Sequence, residues 1–392
     1  MLLNIVMLKR LNFILILLIL FPVFVSGQVL VRLFASQSPE TVVFSVTNGE
    51  YELEGYDKIP EIFRKNDLIV ISKFDGRLAV KSRTSIGFVA DSLNFKARSD
   101  KSSFSLRING QNPVRQYYTG DLSCYPDLST LVLINTCDVE SYIAGVVRAE
   151  GGIKKHEEYF KTQAIIARTY MYKHLDKHIH DRYNVCDNTH CQAFNGMSTD
   201  SLINSASFET RGQVILDQDS VLINSAFHSN CGGMTASSSD VWISDQPYLK
   251  SVTDPYCLNS RNATWEKKIS TDEWIDYLTK SGYTGKKNDL ALLSFYQNKR
   301  WINYKAGTFS VPFEKIRNDL KLRSSFFSVI AAKDSVTFRG KGYGHGVGLC
   351  QEGAMEMASR GNTYQQIIAF YYSGVIITDI KNAKFPELSG NR

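Results

Sequence analysis

The stretch from Asp138 to Tyr170 constrains this 392-residue chain more than any other. Asp138 is placed to cap a helix N-terminus, since its carboxylate can accept from the first free backbone N–H groups. Beyond it, Val146, Val147 and Glu150 follow Ile143 at spacings of three, four and seven, which at 3.6 residues per turn is one helix face. Glu150 therefore shares a buried face with three aliphatic side chains, while Glu140 and Arg148 point elsewhere. Gly151-Gly152 supplies the stop, because glycine enters the left-handed C-cap conformation without steric cost. An apolar surround disfavours an ionised carboxylate, and so does the negative end of a helix dipole. Both raise the pKa of Glu150, as a general acid working near neutral pH requires. The same pattern also fits a glutamate at a helix end that curls out to water.

A second helix is expected from about Glu157 to His178, with Phe160, Ala164, Ala167, Met171 and Leu175 as its core stripe. Lys161 and Arg168 share a neighbouring face. They are either a solvated surface or a cationic bracket for an anionic substrate group beside Glu150.

The chain's beginning reads as an address. Lys9 and Arg10 precede an apolar run from Leu11 to Val25, and small residues follow it, the pattern of a signal peptide over 1–27. An exported protein of the periplasm or cell envelope is expected. From 28 to 135 the reading is β-rich: Phe104, Leu106 and Ile108 alternate with polar residues. Asn48-Gly49 and Asp75-Gly76 each carry the signal of a two-residue hairpin. A mixed helical and strand core follows over 136–380, with a tail over 381–392. The fold class is α+β. A net charge of +6 suits an anionic polymer, and no Lys/Arg block is dense enough to argue for nucleic acid.

Three constellations bear chemistry. His180, Cys186, His190 and Cys191 crowd one loop, an acceptable tetrahedral zinc set by composition; a loop with a disulfide or free thiols is the alternative. Four protein ligands would leave no open position, so such a zinc is structural. Of the remaining cysteines, Cys231 and Cys257 flank one strand–loop unit and are the expected disulfide. Gly342-Tyr343-Gly344-His345-Gly346-Val347-Gly348 lacks both phosphate-loop and dinucleotide registers, so its glycines serve close backbone approach. His345 with Cys350 is a weak Cys–His pair, lacking an orienting third group. Phe227-His228-Ser229 with Gly232-Gly233 reads as a site wall.

Taken in order, Val139-Glu140-Ser141-Tyr142 through Glu150, Lys161-Thr162-Gln163-Ala164 with Ala167-Arg168-Thr169-Tyr170, Cys191-Gln192, His228-Ser229 with Gly232-Gly233, and Gly342 to Ala354 resemble the stage II sporulation protein D family, which includes the amidase enhancers. The resemblance runs from about residue 29 to 380. It implies a lytic transglycosylase acting on peptidoglycan glycan strands, typically stripped of stem peptides, with Glu150 as the acid. It implies substrate contacts at Lys161, Gln163, Arg168, Gln192, His228, Ser229, Tyr343, His345 and Gln351, and a structural zinc at the His/Cys cluster. A cell-wall amidase is an implied partner. Tyr343 stands where tryptophan is often found, and Cys350 where serine is common.

Such chemistry closes with one carboxylate, whereas hydrolytic glycosidases normally use two. A wall-glycan-binding module that recruits or stimulates an amidase, with Glu150 as a mere cap, is the rival reading. A zinc or thiol hydrolase at Cys186/His190/Cys191 or His345/Cys350 is a third.

Overall fold

The computed structural model describes residues 27–54, 61–82, 87–108, 114–151, 156–286 and 288–385. The apolar leader, Gly152 and most of the C-terminal tail lie outside those residues. The fold is α+β.

The N-terminal part is two facing sheets. Its strands in chain order are β1 (Gln28–Leu33), β2 (Thr41–Asn48), β3 (Glu50–Glu54), β4 (Glu61–Arg64), β5 (Leu68–Phe74), β6 (Arg77–Ser82), β7 (Phe88–Ala90), β8 (Leu93–Ala97), β9 (Ser103–Ile108), β10 (Val114–Thr119), β11 (Asp121–Asp127) and β12 (Thr130–Asp138). One sheet runs β13-β1-β12-β11-β8-β3-β4, where β13 is Val185–Cys186, and the other runs β10-β9-β2-β5-β6-β7. Alternating side chains point into the space between the sheets, so β2 buries Val42, Phe44 and Val46 in turn. Phe44 stacks on Phe95 of the opposite sheet at 4.3 Å and on Phe104 at 5.1 Å.

Asp75-Gly76 forms the expected hairpin: Phe74 pairs with Arg77, and both turn residues have positive φ, as a type I′ turn requires. Asn48-Gly49 does not. β2 pairs with β5 and β9, whereas β3 pairs with β4 and β8 in the other sheet. Gly49, at φ 67°, carries the chain around the corner between sheets, and Ser102 packs where a Cβ would stand.

β12 leads directly into α1 (Val139–Glu150), and α2 (Glu157–Lys173) packs on it. One continuous core joins the sheets, these helices and the C-terminal segment from Val347 to Ile380. Residues 264–341 interrupt that core with one of their own. There Thr264–Ser270 pairs antiparallel with Ser335–Lys341, and Phe327–Ala331 adds a third strand. Trp274, fully buried on the helix Thr271–Lys280, meets Tyr304 and Phe338 edge-on. The chain thus enters and leaves this insertion on neighbouring strands.

Candidate active site

Glu150 closes α1. The Asp138 side chain accepts from the Ser141 N–H at 3.0 Å and fixes the helix start. Ile143, Val146 and Val147 are buried on the face that Glu150 continues. Gly145 lies one turn earlier, and a Cβ there would meet the Phe194 ring at 2.4 Å and the Gly196 carbonyl at 2.6 Å. Only glycine lets the 192–196 loop lie this close to the helix. Through that approach the Ala193 N–H donates to Glu150 Oε1 at 3.0 Å. From the other side, Gln351 Nε2 donates to the Glu150 backbone carbonyl at 2.8 Å. Burial pushes the half-buried Glu150 carboxyl above its ordinary pKa, and the Ala193 N–H opposes part of that rise. Gly151 is not left-handed, contrary to the sequence expectation. It sits at φ −73°, ψ −5° and still donates to Val147 O. Glycine is needed there because a Cβ would stand 2.4 Å from that oxygen.

The loop that supplies Ala193 is held by the His/Cys set, with one correction. Cys186, His190 and Cys191 converge with His178, not His180. Ile179–Asp181 forms a 3₁₀ turn, and residues two apart on so tight a turn face different ways, which leaves His180 exposed. His178 Nε2 lies 3.4 Å from Cys191 Sγ, and His190 Nδ1 lies 3.6 Å from Cys186 Sγ and 3.8 Å from Cys191 Sγ. Tetrahedral zinc with Zn–S near 2.3 Å and Zn–N near 2.0–2.1 Å spaces its sulfur and nitrogen ligands by about 3.5 Å. The other ring nitrogen of His178 meets Asp181 at 3.2 Å, the outer carboxylate that metal-bound histidines commonly have. The donor set fits zinc.

The residues expected at the substrate divide into three groups. Arg168 is fully buried. Its Nε donates to Glu140 Oε1 at 3.1 Å, a second nitrogen reaches Glu140 Oε2, and the guanidinium also donates to the Gln213 and Ser207 carbonyls. Its charge is consumed inside the protein. Lys161 is likewise occupied, ringed by Glu157, Glu158 and Glu209 at 2.7–3.3 Å. The expected cationic bracket beside Glu150 is therefore replaced by a buried Arg168–Glu140 ion pair and a surface network of Lys161 with three glutamates. Gln163 and Gln192 are also interior; Gln192 joins Tyr142 to the Ala167 carbonyl.

A second group lies around the strand pair that leads to Gln351 at the end of α1. The short parallel pair Phe227–His228 and Leu349–Cys350 places His228 beside the residue preceding Gln351. Gln351 is itself buried and acts on the Glu150 carbonyl. The third group is accessible. Ser229 and His345 are half-buried and Tyr343 is 46 % exposed beside Arg323. His228 and His345 face each other at 5.5 Å, and Trp242 approaches His345 at 5.9 Å. Burial lowers both imidazole pKa values, His345 to about 4, so the pair is neutral at neutral pH.

Sequence reading missed His178, Tyr159 and Trp242. Tyr159 is buried and its hydroxyl has no partner among the described residues; burial raises its pKa, and Cys350, Glu150 and Glu352 add to the rise. A lone aromatic in a core stripe gives no signal of such a position.

The expected Cys231–Cys257 disulfide is absent. The described cysteines are all free, and these two sulfurs lie 3.4 Å apart, well beyond the roughly 2.05 Å of a bond. Cys350 and Asp254 share their pocket.

Residues 128–216 match the family described as Stage II sporulation protein, a span that holds Glu150 and the whole His/Cys set. The chain is 28 % identical over 352 residues to an uncharacterized protein of Brachyspira hyodysenteriae, covering 88 % of this chain and 92 % of that protein. It is 29 % identical over 289 residues to the amidase enhancer of Bacillus subtilis, covering 60 % of this chain but only 40 % of the enhancer. It is 28 % identical over 267 residues to stage II sporulation protein D of Bacillus amyloliquefaciens, covering 63 % of this chain and 76 % of that protein.

Proposed function

The chain belongs to the stage II sporulation protein D and amidase enhancer family, whose role is in the cell wall, and from that premise we propose that it is a peptidoglycan lytic transglycosylase with Glu150 as its acid. The observation that carries this reading is the environment of Glu150: half-buried, raised in pKa, and steadied through one oxygen by the Ala193 N–H. Oε1 accepts that bond, which leaves Oε2 to carry the transferable proton. Protonated Glu150 donates to the oxygen linking N-acetylmuramic acid to N-acetylglucosamine. Its carboxylate then takes the proton of the muramic C6 hydroxyl as that oxygen attacks the anomeric carbon. The products are a 1,6-anhydromuramic end and a free 4-hydroxyl. No water is consumed, and the acid is restored to its protonated form.

Tyr343, His345 and Ser229 form the accessible wall against which a glycan strand lies, with Tyr343 as a stacking face for a sugar ring. His178, Cys186, His190 and Cys191 would hold a structural zinc whose chemistry is to fix the loop that ends in Ala193. The protein acts outside the cytoplasmic membrane, in the periplasm or cell envelope, and a cell-wall amidase is its proposed partner.

The test is mass spectrometry of peptide-free glycan strands incubated with residues 28–392 and with Glu150→Gln. Anhydromuramic ends from the unsubstituted protein alone support the reading. Reducing ends would mean hydrolysis and a second carboxylate. Binding by both proteins without cleavage would favour the rival glycan-binding module.

A further inference from the structure

A second cluster lies at the base of the insertion, and its Cys350 directly precedes the Gln351 that bonds the Glu150 carbonyl. Cys231 follows the strand Phe227–His228, Asp254 and Cys257 lie in the segment preceding the insertion, and Cys350 follows it. All four residues are fully buried, and each offers a ligand atom within 4.8 Å of the others'. Cys231 Sγ is 3.4 Å from Cys257 Sγ and 3.2 Å from Asp254 Oδ2. Around zinc, Zn–S near 2.3 Å puts tetrahedral sulfurs about 3.8 Å apart, with a sulfur–oxygen spacing of about 3.5 Å. These two spacings are within a few tenths of an ångström of that shape, and the Cys350 sulfur lies within 4.8 Å of each of the other ligand atoms.

What surrounds these atoms is what ligands need. Cys350 Sγ accepts from the Cys231 N–H at 3.3 Å and the Gly353 N–H at 3.4 Å, contacts that favour a thiolate. Asp254 is oriented by the Tyr256 N–H at 2.8 Å and the Tyr371 hydroxyl at 2.9 Å, outer partners of the kind that fix metal-binding carboxylates. Gly353 permits the approach, since a Cβ there would meet Tyr371 Oη at 2.2 Å and Asp254 Oδ2 at 2.4 Å. Arg300, from within the insertion, donates to the Cys231 carbonyl at 2.8 Å. It adds positive charge beside a set that is otherwise entirely acidic. A buried carboxylate among three thiols is costly unless a cation joins it.

We propose that Cys231, Asp254, Cys257 and Cys350 form a second, structural zinc site that clamps the base of the 264–341 insertion onto the core. Sulfur-rich tetrahedral donors select zinc over harder cations. With four protein ligands and no exposed ligand residue, the site is closed to substrate. It joins the segments through which the chain enters and leaves the insertion. The proposal does not depend on the glycan chemistry.

The test uses residues 28–392 exported from a host cell and purified without reductant or chelator. Elemental analysis should find two equivalents of zinc per chain. Cys350→Ser and Cys186→Ser should each hold one, and the double variant none. Zinc content unchanged by both Cys350→Ser and Asp254→Asn overturns the proposal. Because a variant can fail to fold, the thiols of the unsubstituted protein are also mapped by alkylation and mass spectrometry. In denaturant with chelator and no reductant, Cys231, Cys257 and Cys350 should all be labelled. In the native protein they should be protected until chelator is added. A Cys231–Cys257 disulfide, or labelling that ignores chelator, refutes the site.

Discussion

Arg168→Met is the sharpest test of the reassignment of Arg168 from the substrate to the interior. The substitution roughly keeps the apolar stem and removes the guanidinium. It leaves the Glu140 carboxylate without its cation and the Gln213 and Ser207 carbonyls without a donor. Breaking a buried ion pair from one side costs about 3–5 kcal/mol. With an m-value of about 3 kcal/mol/M in urea, the middle of that range moves the unfolding midpoint down by roughly 1.3 M. Glu140→Gln paired with Arg168→Met removes both charges, and the double variant should recover about 1–3 kcal/mol of the single-variant loss. The assay is urea unfolding followed by far-UV circular dichroism, with glycan cleavage measured well below the transition. If Arg168→Met unfolds at an unchanged midpoint while KM for glycan rises, the guanidinium belongs to the substrate site and the reasoning fails. The expected result is the reverse, because the pair fastens the first turn of α1 to α2 and leaves Glu150 at the other end of the helix to do the chemistry.

Two further outcomes follow from the site. Glu150 has a folded-state pKa raised above its ordinary 4.5, so the native state holds the proton more tightly than the unfolded chain. Its contribution to stability is full below the ordinary value and is lost as pH rises through the raised one; kcat/KM should fall over the same upper window. Glu150→Gln should therefore be inactive yet more stable than the parent at neutral pH, and thermal melts from pH 4 to 8 read this directly. Cys186→Ser should lower cleavage by roughly 10–100-fold, the range seen when a metal's support is lost. One equivalent of zinc should vanish with it, and the 186–196 loop should become sensitive to protease. Unchanged loop protection would separate the His/Cys set from the positioning of Ala193.

What the sequence made legible was what depends on neighbours within a turn or two. The face holding Ile143, Val146, Val147 and Glu150 is a matter of helical period, and it is buried as the period requires. The Asp75-Gly76 hairpin is a matter of two dihedral pairs. Asn48-Gly49 has the same local signal and a different outcome, because the dipeptide fixes a positive φ but not the sheet that the next strand joins. His178 and His180 are alike in composition, and only a 3₁₀ turn separates the one that meets the sulfurs from the one that faces water. Arg168 looked like a surface cation because nothing near it in sequence announces that Glu140 will fold against it. The insertion was illegible as a unit, since its core brings the helix Thr271–Lys280 and the middle residues Tyr304 and Phe313 onto paired strands from its two ends.

The acid itself shows where local reading stops. Glu150 is placed by α1, but one of its carboxyl oxygens is held by an N–H 43 residues away and its backbone carbonyl by an amide 201 residues away. Neither contact leaves a local signature beside Glu150: Ala193 contributes only its backbone N–H, and the Gln351 side-chain amide reaches a backbone carbonyl that any residue would present. The features that put those two groups in place are Gly145, which admits the 192–196 loop, and the strand pair that carries Cys350 and then Gln351 to the helix end. A chain with the same Glu150 and a bulkier residue at 145 would keep the helix, keep the carboxylate, and lose the bond that leaves one oxygen free to carry the proton.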